Sequence, residues 1–222
     1  MIPRIGKTNP TAFTLIELLT VLVLIVILVL FFSQSPGIRA KENAKLAACM
    51  SNQKQIVLGL TMFASAHGDK LPSMISITNG GALEPMTDGD VTSCYAALTN
   101  SIDPSTFICR SDNLRLRAER GHSLTHSNFS YFISLDTTLK DSPVTTILTG
   151  DRHLESNGKP VAPGVFTLST NSNPTWTTEL HFIKGQGTRG AVSFADGHVE
   201  ASKNLAGIVA RQSVVTNRVV VP

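Results

Sequence analysis

The chain has 222 residues, 42% of them hydrophobic and 16% charged, enough for one globular domain of about 150 residues beside a separate helix. Its net charge is +3, and Arg4 and Lys7 near the start supply two of the three, so the remainder is close to neutral. That balance gives no argument for nucleic-acid binding, and three cysteines without any Cys-x-x-Cys argue against a local zinc or redox motif.

Residues 1–12 form a short basic leader with no acid. Residues 13–32 follow as twenty positions, seventeen of them apolar, and Glu17 is the only charge among them. As one helix they would be about 30 Å long, the thickness of a hydrocarbon core, so a transmembrane helix is expected over 13–32. A carboxylate there costs roughly 2.5–3.5 kcal/mol on insertion scales and needs a reason. Ser33-Gln34-Ser35-Pro36-Gly37 predicts a kink, because Pro36 lacks a donor and clashes with the preceding turn. Beyond it, Leu46, Cys49, Met50, Ile56, Val57, Leu60 and Phe63 recur at three- and four-residue steps. An amphipathic continuation is therefore expected over 33–68, with Gly68 as its C-cap.

Residues 69–222 read as a globular head. Gly80 to Asn128 is loop-rich, with a short helix expected around Val91 to Thr99. Strands are expected at Val144–Thr149, Gly164–Leu168, Leu180–Ile183, Ala191–Phe194, His198–Ala201 and Val214–Val221. Asp196-Gly197 reads as a tight hairpin turn between two of them. Spacing alone cannot choose a disulfide among Cys49, Cys94 and Cys109.

Small residues followed by a long apolar run invert the order of a secretory signal peptide. Ala12, then Phe13-Thr14-Leu15-Ile16-Glu17-Leu18-Leu19, resembles the type IV prepilin and type II secretion pseudopilin signal, with Ala12 where the family usually has Gly. The resemblance implies that prepilin peptidase cuts Ala12–Phe13 and that the new amine of Phe13 is N-methylated. It also implies an assembly role for Glu17, whose carboxylate would neutralise the Phe13 ammonium of a neighbouring subunit in a low-dielectric helix bundle. The implied fold is α+β and pilin-like, with a long kinked N-terminal helix, transmembrane in its first half and amphipathic in its second, packed on an antiparallel β-sheet head. The implied function is a structural, non-enzymatic subunit of a type II secretion pseudopilus. Its partners would be the peptidase, other pilin-like subunits, the inner-membrane secretion platform and the lipid bilayer, with no nucleic acid. It would be a single-pass protein of the bacterial inner membrane, with a cytoplasmic N-terminus and a periplasmic head. A type IV pilin and a membrane-tethered head binding glycan or cargo are the alternatives.

Further patches resemble a bacterial subset of these proteins: Cys49-Met50-Ser51-Asn52-Gln53, Phe107-Ile108-Cys109-Arg110-Ser111-Asp112 and Gly150-Asp151-Arg152-His153. Cysteines at matching positions favour pairing Cys49 with Cys109 over the local alternative, Cys94 with Cys109. His181 and Asp196-Gly197 resemble the subset's C-terminal histidine and Asp-Gly motif, although fourteen residues separate them here, more than usual. As chemistry, His181, Asp196 and His198 could ligate a cation; as structure, Asp196-Gly197 forms the turn and His198 lies on a strand. His122 and His126 have an i, i+4 spacing known from zinc sites, but a polar loop is the expectation. Asp151-Arg152-His153 reads as local ion pairing, and Trp176 as a packing anchor. No catalytic residue, metal or cofactor is expected; calcium, bound by some major pseudopilins, is the one candidate, and no dense Asp/Asn run is present for it.

Overall fold

The computed structural model describes residues 13–33, 37–119, 121–140, 142–183, 185, 187–212 and 216–222. The leader 1–12, including Ala12, and the expected kink at Pro36 lie outside the described residues. Two compact units are present, Met1–Ile38 and Arg39–Pro222.

The first unit holds helix α1, Leu15–Ser33. Thr14 caps it in a reciprocal box. Its hydroxyl accepts from the Glu17 amide at 3.3 Å, and its own amide donates to the Glu17 carboxylate at 2.8 Å. The large apolar side chains of α1 from Leu15 (83%) to Leu30 (61%) are exposed. Among the described residues no helix is long and apolar enough to cross a membrane. This overturns the transmembrane segment expected over 13–32, and with it the single-pass inner-membrane placement. The helix is shorter than the run of twenty expected: α1 has 19 residues, about 28 Å, short of a 30 Å core. The single long kinked helix is corrected too: α1 ends at Ser33, and a separate helix, α2, runs from Gly37 to Ala66.

In the second unit α2 ends at Ala66, and Gly68 (φ 66°) and Asp69 (φ 62°) turn the chain left-handed past it. Short helices α3 (Leu83–Thr87) and α4 (Thr92–Leu98) follow. The strands are β1 (Tyr131–Ser134), β2 (Ile147–Asp151), β3 (Leu154–Ser156), β4 (Lys159–Pro160), β5 (Gly164–Ser169), β6 (Pro174–Trp176), β7 (Gly190–Phe194), β8 (Val199–Ser202) and β9 (Thr216–Val221), with α5 (Leu205–Arg211) before β9. Six strands form an antiparallel sheet in the order β5-β9-β1-β2-β7-β8, and β4-β3-β6 form a smaller one.

Both faces of the large sheet are covered. Tyr131, Ile133, Leu148 and Val220 share one core with Cys49, Ile56, Val57, Leu60 and Phe63 of α2. Alternate residues Phe132, Val192, Val219 and Val221 share a second core with Trp176 and with Leu205, Ile208 and Val209 of α5. The approach on this second face is close at Gly150, where an added Cβ would sit 2.6 Å from the Phe132 ring and 2.8 Å from a Val192 methyl. Gly150→Ala is therefore expected to destabilise the fold by about 1–3 kcal/mol through overpacking, read as a lower urea midpoint with an unchanged slope.

Candidate functional site

Three of the patches singled out in the sequence meet at one place, between α2 and the edge of the β2–β7 pair. Cys49 and Gln53 lie one turn apart on the buried face of α2. Cys49 is joined to Cys109 by a disulfide with a Cα–Cα distance of 5.0 Å, while Cys94 is a free, buried thiol. Burial pushes the Cys94 thiol up to about 12, which keeps it protonated and unreactive near neutrality. The Asn52 amide donates to the Ile108 carbonyl at 2.9 Å, tying α2 to the loop a second time.

Asp151 ends β2 and is fully buried. Its carboxylate accepts from the Ala191 backbone amide at 2.8 Å and from the Gln53 side-chain amide at 3.3 Å. The same Gln53 amide donates to the Ala191 carbonyl at 3.0 Å, leaving Gln53 Oε1 buried without a partner. One glutamine thereby ties α2 to both β2 and β7. Burial pushes the Asp151 carboxyl up to about 7, against the pull of the Ala191 amide and Gln53.

His181 reaches the same node with a left-handed backbone (φ 47°). Its Nδ1 is 3.2 Å from Ser111 Oγ, and its Nε2 is 3.3 Å from Cys109 Sγ and 3.9 Å from Asp151 Oδ2. Burial lowers its pKa to about 4, so the ring is neutral at neutral pH. Beside it, Arg152 forks onto Asp112 at 2.8 and 3.0 Å, and the Ser130 hydroxyl donates to the same carboxylate at 2.9 Å. Burial opposes ionisation of Asp112, but Arg152 and then His153 and Ser130 hold its carboxyl below the usual range. His153 is buried, and its Nε2 lies 2.8 Å from Glu179; burial and then Arg152 lower it to about 4.

Asp196 and Gly197 are elsewhere. Gly197 (φ 86°) makes the turn between β7 and β8, and Asp196 accepts from the His198 backbone amide at 3.0 Å. His198 stacks on Phe194 with ring centres 4.1 Å apart. The structure thus brings His181 to Cys109, Ser111 and Asp151, and Asp196 to His198. His126 pairs with Asp90 at 3.3 Å in a surface turn, while His122 lines a separate cavity with Thr99, Asn100 and Glu119. Phe13 is 77% exposed. Among the described residues, Cys49, Cys109 and His181 present three potential ligand atoms within 4.8 Å of one another, a sulfur and imidazole set unlike the oxygens calcium takes. Gln53 and Ser111 carry no role in the sequence reading, and Asp151, read there as part of a local ion pair, bonds instead to Ala191 and Gln53 while Arg152 pairs with Asp112. The quoted patches contained each of them, but nothing linear relates residues so far apart.

On the outer side of the disulfide, a cavity of about 650 Å³ has a floor of Ala44, Ala48, Ile108 and Cys109. Lys41, Lys45, Arg110, Arg115 and Arg117 line it with Asp112. Lys45 is paired with Glu42 at 2.8 Å, and Arg115 donates to the Pro222 carbonyl at 2.8 Å.

The buried titratable groups oppose one another. Between about pH 4 and 7 native Asp151 keeps a proton that the unfolded chain has released, so its stabilisation is lost as pH rises through 7. His153 and His181 contribute stability above pH 6.5 that is lost as pH falls through about 4. Asp151→Asn removes the first effect alone, and stability should then climb more steeply over pH 4.5–6.5, by up to about 1.4 kcal/mol per pH unit. Urea titrations at several pH values would read it; parallel curves for the two proteins would contradict the buried, proton-holding carboxyl. No protein-family model, curated protein or solved structure matches this chain, so its functional reading rests on its own residues.

Proposed function

We propose that this chain is a pilin-like structural subunit of a type II secretion pseudopilus, polymerising through α1 to support protein export. The observation that carries the reading is the all-round apolar surface of α1, where even the least exposed of the described large side chains, Ile27, is 45% exposed. A helix that is hydrophobic on every side is stable in water only when something covers it. Copies of the same helix would do so, packing at about 8–10 Å between axes. The carboxylate of Glu17, the single acid of α1, is bonded among the described residues only to Thr14 at the start of its own helix. In the assembled fibre it would meet the Phe13 amine that prepilin peptidase frees on a neighbour.

The reading is tested by Glu17→Gln in the full chain. Sedimentable, cross-linkable polymers should fall at least tenfold while the circular dichroism of the protein is unchanged, and N-terminal sequencing of the wild type should begin at methylated Phe13. Undiminished polymers together with an intact Met1 would overturn it.

A second reading, a head that binds anionic cargo, is favoured by the basic cavity beside the disulfide. Arg110→Glu with Arg117→Glu should then weaken binding to an acidic polysaccharide such as polygalacturonate at least tenfold and reduce its salt dependence, as measured by calorimetry.

A further inference from the structure

The donor set at the disulfide has a second use. His181 Nε2 is faced both by Cys109 Sγ at 3.3 Å and by Asp151 Oδ2 at 3.9 Å. A tetrahedral zinc ion with bonds of about 2.0–2.3 Å sets its ligand atoms about 3.3–3.8 Å apart, a range that includes the 3.3 Å between His181 Nε2 and Cys109 Sγ. Cys49 Sγ completes the set, all three Cys and His donor atoms lying within 4.8 Å. In the tautomer with its proton on Nδ1, Ser111 Oγ at 3.2 Å accepts that proton and the Nε2 lone pair is directed at sulfur. A disulfide sulfur has no proton to offer that lone pair. The imidazole is held there by a backbone in the left-handed region, φ 47°, where a non-glycine residue is strained.

We propose that reduction converts this node into a zinc site, with Cys49 Sγ, Cys109 Sγ and His181 Nε2 as protein ligands, solvent in the fourth position and Ser111 orienting the imidazole. A dithiol reductant supplies two electrons and two protons, breaking the Cys49–Cys109 bond and becoming a cyclic disulfide itself. Zn²⁺ then displaces the two thiol protons to solvent and joins the thiolates in place of the covalent bond. The link between α2 and the 108–112 loop survives in either state. The cross-link is therefore covalent under oxidising conditions and metal-bound under reducing ones.

The test uses the full chain in mild detergent, reduced with dithiothreitol that is then removed without air, and Co²⁺ as the probe. One Co²⁺ should bind per chain, with thiolate charge-transfer absorption and the intense visible bands of a tetrahedral site, and Zn²⁺ should displace it. The oxidised protein should show neither. Cys109→Ser and His181→Ala should abolish the tetrahedral spectrum, and Ser111→Ala should weaken binding about 10- to 100-fold. Should these variants fail to fold, alkylation of reduced wild type decides: Zn²⁺ should protect Cys49 and Cys109 from iodoacetamide. Weak octahedral bands without charge transfer, or alkylation at the same rate with and without Zn²⁺, would overturn the proposal.

Discussion

The second unit depends on how α2 is fastened to the sheet, and a buried carboxyl is at the centre of the fastening. Taking an isolated carboxylate out of water costs several kcal/mol even after relaxation. Asp151 meets that cost incompletely, with one backbone amide and one side-chain amide as donors. The neutral form is correspondingly favoured, and the group keeps its proton up to about pH 7. What the fold gains is a point where β2, β7 and α2 share hydrogen bonds, since Gln53 contacts both Asp151 and the Ala191 carbonyl. Apolar packing along α2 supplies most of the attraction but is indifferent to sliding by a turn. A buried polar contact that is satisfied in a single register is not.

The disulfide acts one helical turn away, and its effect is of a different kind. It closes a segment of 60 residues, for which the chain-entropy account gives about 4 kcal/mol of stabilisation. Because α3, α4 and the 104–107 turn lie inside that segment, their short apolar stretches are held near the sheet without long elements of their own. Tyr95 shows the result: its ring stacks on Phe129 at 4.3 Å, and its hydroxyl donates to the Tyr131 carbonyl at 2.8 Å. Covalent closure thus compensates for a middle region too loop-rich to hold itself in place.

Much of this was legible from the chain, and the failures have physical causes. The β7–β8 hairpin is readable because Gly197 can take the left-handed angle its turn requires, and the Ala191–Phe194 run is apolar enough to declare itself. Strand β1 was missed: Tyr131-Phe132-Ile133-Ser134 is buried on both faces, so it shows no alternation, and four residues are too few to register otherwise. The strand expected at Leu180–Ile183 is absent apart from a single bridge at Ile183, because His181 leaves the extended region to point into the node. His181 and Asp196, weighed in sequence as ligands of one cation, have different neighbours in the structure. Asp196 is consumed by its own turn, while the histidine finds Cys109, seventy-two residues away in sequence. The transmembrane reading overcounted the helix. A twenty-residue window spans the required length, but α1 itself covers only Leu15–Ser33.

The first turn of α1 raises the question of what Glu17 gains from staying where it is. Its bond to the Thr14 amide is half of a capping box, which stabilises the helix start. In water the carboxylate has little reason to leave, since an exposed ion pair offers little. Between packed apolar helices the balance changes, because opposite charges attract more strongly where water is excluded. In the proposed fibre the cap and the intersubunit pair would therefore be alternative states of one side chain. The cap serves the lone subunit, and the pair forms only once neighbouring helices have excluded water, which ties the electrostatic contact to assembly itself.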